Sequence, residues 1–330
     1  MIKESDYSAG TSGSKAQILP YRVSENSVVG THEDIESDVK LPETRIQSIP
    51  EVGAESSSGN INTEFNIDEQ DPLFASVMCS SWSDITSDYN TAHETEFDSV
   101  KKLGLGTSRD TYFMIKKYFQ TPASWEVFSG VQVNGVQIQM ALNDFVKLTW
   151  DMLGANNPSP VTSEPMDLTK SAYAAAMTTK SFITRELNIN ITDLDAEDEP
   201  TFVTADKMRQ CPSFDINISN NKERTDALGE TEAIEMSDGD FVVEGTMEVW
   251  NADLKAINLK KDAIEGKDKW ISVEVFRKVG DVTTTYRFDL KAHLKTPSDS
   301  KDGSKLKISI PFSVNFNNGL TIYKFVLDES

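Results

Sequence analysis

Histidine and cysteine are scarce in this chain: 330 residues hold three histidines, His32, His93 and His293, and two cysteines, Cys79 and Cys211. Each histidine lies in a different polar segment, so no motif marks a Cys-His or Ser-His-Asp arrangement. The cysteines sit in dissimilar contexts, which favours two free thiols over a bridge. There is no Walker loop and no HExxH, and Gly104-Leu105-Gly106-Thr107 lacks both a downstream lysine and a helix signal. Carboxylates abound, but among 53 Asp and Glu chance neighbours are expected, and a solvated face explains them better than a glycosidase pair. The expectation is a protein that is not an enzyme and takes no cofactor or metal. Long apolar runs are missing too: none approaches the 18 residues of a membrane span, and the opening MIKESDYSAG has no apolar leader core, so no membrane contact is expected. Basic residues number 32, for a net charge of −21, which argues against a surface that grips nucleic acid.

A hydrophobic content of 38% and an aromatic content of 9% are enough for a real core. The clearest pattern runs from Thr107 to Leu153. Val131, Val133, Val136, Ile138 and Met140 alternate with Gln132, Asn134, Gln137 and Gln139, and the parity changes at Gly135. That is a half-buried strand with a bulge at the glycine. After the turn 141–144, Val146, Leu148, Trp150 and Met152 face one way and Lys147, Thr149 and Asp151 the other, completing a hairpin with one oily face. Upstream, Thr111, Phe113, Ile115 and Lys117 against Tyr112, Met114 and Lys116 give a strand that packs on both sides.

Residues 1–20 are Ser/Gly-rich and read as a flexible arm. In HEDIESDVK, Ile35, Ser37 and Val39 alternate with Asp34, Glu36, Asp38 and Lys40, a strand with one acidic face. Residues 41–58 hold two prolines and no period and read as a long loop, a length usually tied to function. GNINTEFNID follows, with Ile61, Thr63, Phe65 and Ile67 opposite Asn60, Asn62, Glu64, Asn66 and Asp68. The spacing of Leu73, Phe74, Val77 and Met78 predicts a short helix over 70–81 that tolerates Pro72 in its first turn, and NADLKAINLKKDAIEG predicts another. Residues 83–100 read as polar loop. Residues 154–180 read as an insertion in which the alanine run 172–176 suggests one helical turn. A strand passes through Leu187, Ile189 and Ile191. The acidic run 192–200 has the oxygen-rich composition of a calcium loop without its spacing or glycine. Further strands follow: Phe214, Ile216 and Ile218; FVVEGTMEVW; ISVEVFRKV and VTTTYRFDL, joined at Gly280-Asp281; and LKISIPFSVNF. In the last, Leu306, Ile308, Ile310, Phe312, Val314 and Phe316 point inward, and Pro311 marks an edge or bulge.

A strand from Gly59 to Asn66 followed by a helix is echoed by Gly245 to Asn251 followed by a helix. One domain over 21–330, with a pseudo-repeat at about 21–153 and 181–320, explains this better than two independent units. The fold class is mainly β (α+β), a β-sandwich or partly open barrel with one or two short flanking helices.

In order and spacing these segments resemble the major tail tube proteins of long-tailed bacteriophages. The likeness rests on an early strand at Asp34–Lys40, the long loop Leu41–Ser58, the strand Gly59–Phe65, the helix at Pro72–Met78, the aromatic strand Thr111–Phe119, and Phe128-Ser129-Gly130-Val131-Gln132-Val133-Asn134. Lys305–Phe316 matches the strand that closes the second half. It covers most of residues 20–318; the insertion at 154–180 and the acidic turn depart from it. The resemblance implies a virion structural protein, assembled in the host cytoplasm into hexameric rings that stack into a hollow tail tube. The inner sheets of the subunits would join edge to edge into a continuous β-barrel. It also implies a tape measure protein inside, head-tail connector or terminator and distal tail proteins at the ends, and DNA only as transiting cargo.

In that setting Asp34, Glu36, Asp38, Asn60, Asn62, Glu64, Asn66 and Asp68, whose strands put apolar residues on the reverse side, are expected to face the lumen. The long loop, with Leu41, Ile46, Ile49 and Val52, is expected to reach the neighbouring ring. Ile18, Leu19, Tyr21 and Val23 are expected to order the N-terminal arm against a partner. The rival reading is a β-sandwich carbohydrate-binding or adhesin module with Trp82, Trp125 and Trp270 as sugar platforms, against which core or inter-subunit packing of those rings is favoured.

Overall fold

The computed structural model describes residues 2–4, 17–18, 23–35, 51–107, 111–163, 180–194, 207–226, 235–303, 305–314 and 319–329. In chain order its elements begin with β1 (Ile2–Glu4), β2 (Gln17–Ile18), β3 (Val23–Asn26), β4 (Val29–Ile35), β5 (Glu51–Glu64), α1 (Asp71–Val77), β6 (Ser83–Asp84), α2 (Thr86–His93), β7 (Ser99–Gly104), β8 (Tyr112–Gln120), β9 (Ala123–Ala141) and β10 (Lys147–Gly154). They continue with β11 (Leu187–Asp193), β12 (Ser213–Ser219), β13 (Glu223–Thr225), β14 (Glu235–Ser237), β15 (Val242–Trp250), α3 (Leu254–Ile264), β16 (Asp268–Val279), β17 (Val282–Leu294), β18 (Ser298–Asp302), β19 (Lys305–Val314) and β20 (Leu320–Asp328). The protein is mainly β, with three short helices among the described residues, and the large antiparallel sheet is compatible with a β-sandwich and is not closed into a barrel.

Two layers can be traced through the strand pairings. The first runs β5-β10-β9-β12-β15-β19, with β3 and β4 beyond β5 and β18 beyond β19. The second runs β11-β16-β17-β20-β7-β6. They join at a corner where the end of β17 pairs with Phe312 and Ser313 of β19. Between the layers lies an aromatic cluster. Phe65 sits 4.9 Å from Tyr286 and 6.3 Å from Phe288, and Phe74 of α1 sits 5.1 Å from Trp150, each distance between ring centroids. All of these rings are buried, each contributing about 1.5–3 kcal/mol of transfer free energy.

Strand periodicity finds its structural counterpart here. Val131, Val133, Val136, Ile138 and Met140 are buried, and the register between β9 and β10 shifts where Asp151 pairs with Gly135 and Met152 with Val133. The bulge therefore lies at Asn134-Gly135. Gln132, by contrast, is buried on the opposite face. α1 begins with Pro72 in its first turn and buries Leu73, Phe74 and Val77. α3 is capped by Asp253, whose carboxylate accepts the Ala256 N–H at 2.8 Å. Gly280 turns the β16–β17 hairpin at φ +66°, a conformation that costs glycine little. Pro311 occupies the point on β19 where the partner changes from β18 to β17, and its carbonyl accepts the Lys295 N–H at 2.8 Å. No ladder donor is required of it there.

Several expectations need correction. Among the described residues the early strand covers Val29–Ile35 and is exposed almost throughout, so it starts before Asp34, and residues 36–40 of the expected strand lie outside the described residues. Residues 51–58, expected within the long loop, are the first part of β5 and pair with β4; they carry no apolar period because only Ser57 among them is buried. Residues 83–100 contain α2 and β7. α2 escaped detection because it buries none of its residues and instead covers the outer face of the second layer through Tyr89, 5.2 Å from Phe325 and hydrogen-bonded by Arg287. Leu306, expected inward, is exposed, since it lies past the end of β15, which stops opposite Lys307. Phe316, the alanine run 172–176 and residues 195–200 lie outside the described residues. β1 pairs with β8 and with β2, so the first residues carry strand structure rather than acting throughout as a loose arm.

Candidate functional site

Alternation in the first layer builds one polar face from many strands. Hydrogen-bonded register aligns Asn62, Thr149, Gln137, Asn217, Glu244 and Ser313 in one row across β5, β10, β9, β12, β15 and β19. A parallel row aligns Glu64, Lys147, Gln139, Asp215, Thr246 and Pro311. The row between them, Thr63, Leu148, Ile138, Ile216, Gly245 and Phe312, points into the core. At Gly245 a Cβ would lie 2.1 Å from the Asp215 carbonyl oxygen and 2.5 Å from the Phe312 ring; the missing side chain lets that ring pack over the strand.

Amide, hydroxyl and carboxylate groups on the polar face bind one another. Asn62 donates to Glu25 at 3.1 Å, Asn134 to Asp151 at 2.6 Å, and Ser213 to Glu248 at 2.7 Å. Lys307 pairs with Glu248 at 2.8 Å and Lys295 with Glu244 at 3.6 Å. Burial, with Glu248 adding a like charge, pushes the Asp215 carboxyl above its ordinary value. For Glu248 burial acts upward, but the bonds from Lys307 and Ser213 outweigh it and the net shift is downward. Carboxylates at Glu64, Asp151, Asp215, Glu244 and Glu248 outnumber the lysines at 147, 295 and 307, so the face is acidic as well as polar.

Of the residues expected to face a lumen, Asn60, Asn62 and Glu64 share this surface, with Asn60 exposed and the other two half-buried. Asp34 lies on β4, exposed and 3.4 Å from His32. Asn66 is fully buried, its side chain bonded to Glu69, to the Glu64 carbonyl and to Ser181, because the strand ends at Glu64 and the chain turns toward α1. Asp68 adopts φ +65° and pairs with Lys324, which also holds Asp71. Asn66 and Asp68 thus anchor α1 and do not extend the polar face. Val52 is exposed on β5 and Val23 on β3, and Ile18 lies in β2. Glu36, Asp38, Leu41, Ile46, Ile49, Leu19 and Tyr21 lie outside the described residues. Gln137 was named on the polar side of its strand without a role, while Asp215, Asn217 and Glu244 were not singled out from sequence; their signal was the same alternation, in strands read only for their apolar side.

The sheet with this face has two free borders among the described residues. β3 and β4 pair only with β5, and β18 pairs only with β19. Of the three tryptophans considered as sugar platforms, Trp270 is buried beneath Lys291, Trp82 is half-buried and donates its N–H to the Asp71 carbonyl, and Trp125 is half-buried and packs against Tyr118. No group of three or more His, Cys, Asp or Glu among the described residues could hold a metal ion. Neither cysteine forms a disulfide, and burial pushes the Cys211 thiol up to about 12.

No curated protein matches the chain. A family model described as "Phage tail tube protein" matches residues 1–321. A mainly β subunit with an acidic polar sheet face and two open sheet borders, matched by that model over nearly its whole length, belongs to the phage tail tube protein family.

Proposed function

We propose that this subunit forms hexameric rings that stack into the tail tube, the conduit through which DNA leaves the capsid for the host cell, and that the polar face of the first layer lines the channel. The observation that carries this reading is the pair of polar rows crossing six consecutive strands. A surface of amides, hydroxyls and carboxylates whose lysines, at 147, 295 and 307, are each paired with a carboxylate offers a phosphate backbone little counterion release, so passing DNA slides without sticking. The tape measure protein occupies the same channel before ejection. The connector or terminator and the distal tail proteins close the two ends, and assembly takes place in the host cytoplasm. The role is structural and not enzymatic.

Residues 21–330 serve as a single domain with a pseudo-repeat at about 21–153 and 181–320 and an insertion at 154–180. Support comes from β5 and β15, which are four antiparallel pairings apart, hence run in the same direction, and are each followed by a helix. Leu41, Ile46, Ile49 and Val52 make the contact to the next ring. Ile18, Leu19, Tyr21 and Val23 tie the N-terminal arm to a neighbour. Negative-stain micrographs of the purified chain are expected to show hollow tubes with sixfold end views. A chain that stays monomeric at every concentration, or forms solid fibres, contradicts the proposal.

A further inference from the structure

The polar face of the first layer changes character toward one end. Along β9 it is exposed at Gln139, half-buried at Gln137 and buried at Gln132. Paired with Gln132 stands Leu153, an apolar residue in the alternation that otherwise supplies Lys147, Thr149 and Asp151. A two-stranded ribbon covers this spot. β13 and β14 pair only with each other among the described residues, and Met236 of β14 is buried in a small cluster with Ala155 and Leu153. The root of the ribbon is fastened to the same face. The Lys222 N–H donates to the Asn134 side-chain oxygen at 2.7 Å, and the amide nitrogen of that side chain donates to Asp151 at 2.6 Å. The Asn220 N–H donates to the Asn134 carbonyl at 2.8 Å, so the bulge in β9 is the seat of the ribbon. A buried Lys222–Asp238 pair ties the two sides of the root together, and the Asn220 side chain donates to the Val77 carbonyl of α1 at 2.9 Å.

The ribbon has two chemically different sides. Strand register sets Arg224 and Met236 on the side turned to the sheet and Glu223, Thr225, Glu235 and Ser237 on the other. Burial follows that division: Met236 is buried, whereas Glu223, Thr225 and Glu235 are exposed. The outward side holds two carboxylates and no cation, and Arg224 bonds Asp226 at 2.8 Å. The ribbon therefore hides the apolar spot at Leu153 and puts an acidic surface in its place. We infer that in the assembled tube the β13–β14 ribbon, and not the sheet beneath it, forms the channel wall at this end of the subunit, with Glu223 and Glu235 turned toward the passing DNA. This rests on the lumen reading above and adds to it which element the cargo meets there. A carboxylate wall gives the phosphate backbone no counterion to release, so the ribbon keeps this stretch of the bore as slippery as the polar rows.

Cysteines placed singly at Glu235 and, on the paired strand, at Thr225 test this in intact tubes, beside Asn217→Cys as a marker of the sheet face. Both positions are exposed and lie away from the ties at the root. Dissociated subunits are expected to react with a small maleimide and equally with a maleimide on a polymer too bulky for the bore. In tubes, Glu235→Cys and Thr225→Cys are expected to keep reacting with the small reagent and to lose reaction with the bulky one. Reaction with both reagents, while Asn217→Cys admits only the small one, puts the ribbon outside the bore and overturns the inference with the lumen reading intact. Protection from both reagents places the ribbon in a contact between subunits and overturns it equally. Asn217→Cys reacting with both, or a wild type that makes no tubes, removes the lumen reading and the inference together. Particles carrying Glu223→Lys with Glu235→Lys give a second readout: DNA ejection slower than wild type at low salt and restored by added salt is expected, and ejection at the wild-type rate at low salt overturns the wall assignment.

Discussion

α1 and α3 follow strands that run in the same direction through the same sheet, yet they spend their apolar residues differently. α1 buries Leu73, Phe74 and Val77 in the core between the layers. α3 buries Ala256, Leu259 and Ala263 and leaves Leu254, Ile257 and Ile264 in the open. A helix needs only one apolar stripe to dock on its own domain, and α3 carries a second stripe that stays exposed among the described residues. α1 therefore closes the subunit, while α3 leaves part of its apolar surface facing outward.

The largest effect that would sharpen this contrast is on α1. Phe74→Ala removes a ring packed on Phe65, Trp150 and Phe288 and is expected to cost about 3–5 kcal/mol of stability, measured as a lower urea midpoint of the unpolymerised subunit. A change under about 1 kcal/mol would mean that α1 is peripheral.

Next comes the cap of α3. Asp253→Ala deletes the bond to the Ala256 N–H and is expected to cost about 1 kcal/mol, read in the same titration. α1 has no side-chain cap on Gln70, and its N-terminus is held from outside by Tyr286, which donates to Asp71 at 2.5 Å, and by Lys324.

Acid titration separates the helices by sign. Burial, outweighing Lys324, raises the Asp71 carboxyl above its ordinary 3.8; its contribution is complete below about pH 3.8 and is lost as pH rises through the folded value. Asp262 of α3 is lowered: burial acts upward, but bonds from Lys267 and Lys269 prevail. Its contribution is present above about pH 3.8 and is lost as pH falls through the folded value. Stability measured between pH 3 and 6 should therefore show wild type gaining on Asp71→Asn as the solution is acidified and losing ground to Asp262→Asn. Parallel slopes for the two variants would erase the distinction.

The smallest expected effect on stability is the most telling one. Ile257→Ser on the exposed stripe should change the monomer's unfolding free energy by no more than about 0.5 kcal/mol, while the concentration needed for assembly rises. A loss as large as that of Phe74→Ala would place the stripe in the core.

Much of this was legible in the sequence, and the misses share a cause. The β9–β10 hairpin, its bulge at Gly135, the turn at Gly280, α1 and α3 all announce themselves, because each buries one face and the period of burial is written in apolar residues. α2 and the β4/β5 ribbon escaped because neither buries a face of its own in the main core. Asn66 and Asp68 continued the alternation of β5 on paper but turned off toward Ser181 and Lys324, partners more than 100 residues away. The polar face was half visible: Asn60, Asn62 and Glu64 came from one strand, whereas its continuation through Gln137, Asn217 and Glu244 depends on register between distant strands, which no local period encodes.

The central claim, that this face lines the channel, can be tested with a single cysteine at Asn217, in the middle of the polar row. The native thiols should stay silent in this experiment, Cys79 being buried and Cys211 held protonated far above neutral pH. Intact tubes carrying Asn217→Cys would be exposed to a small maleimide and to a maleimide on a polymer too bulky to enter the bore. Labelling by the small reagent alone is the predicted result; labelling by both to the same extent would place the face on the outside of the tube and contradict the account.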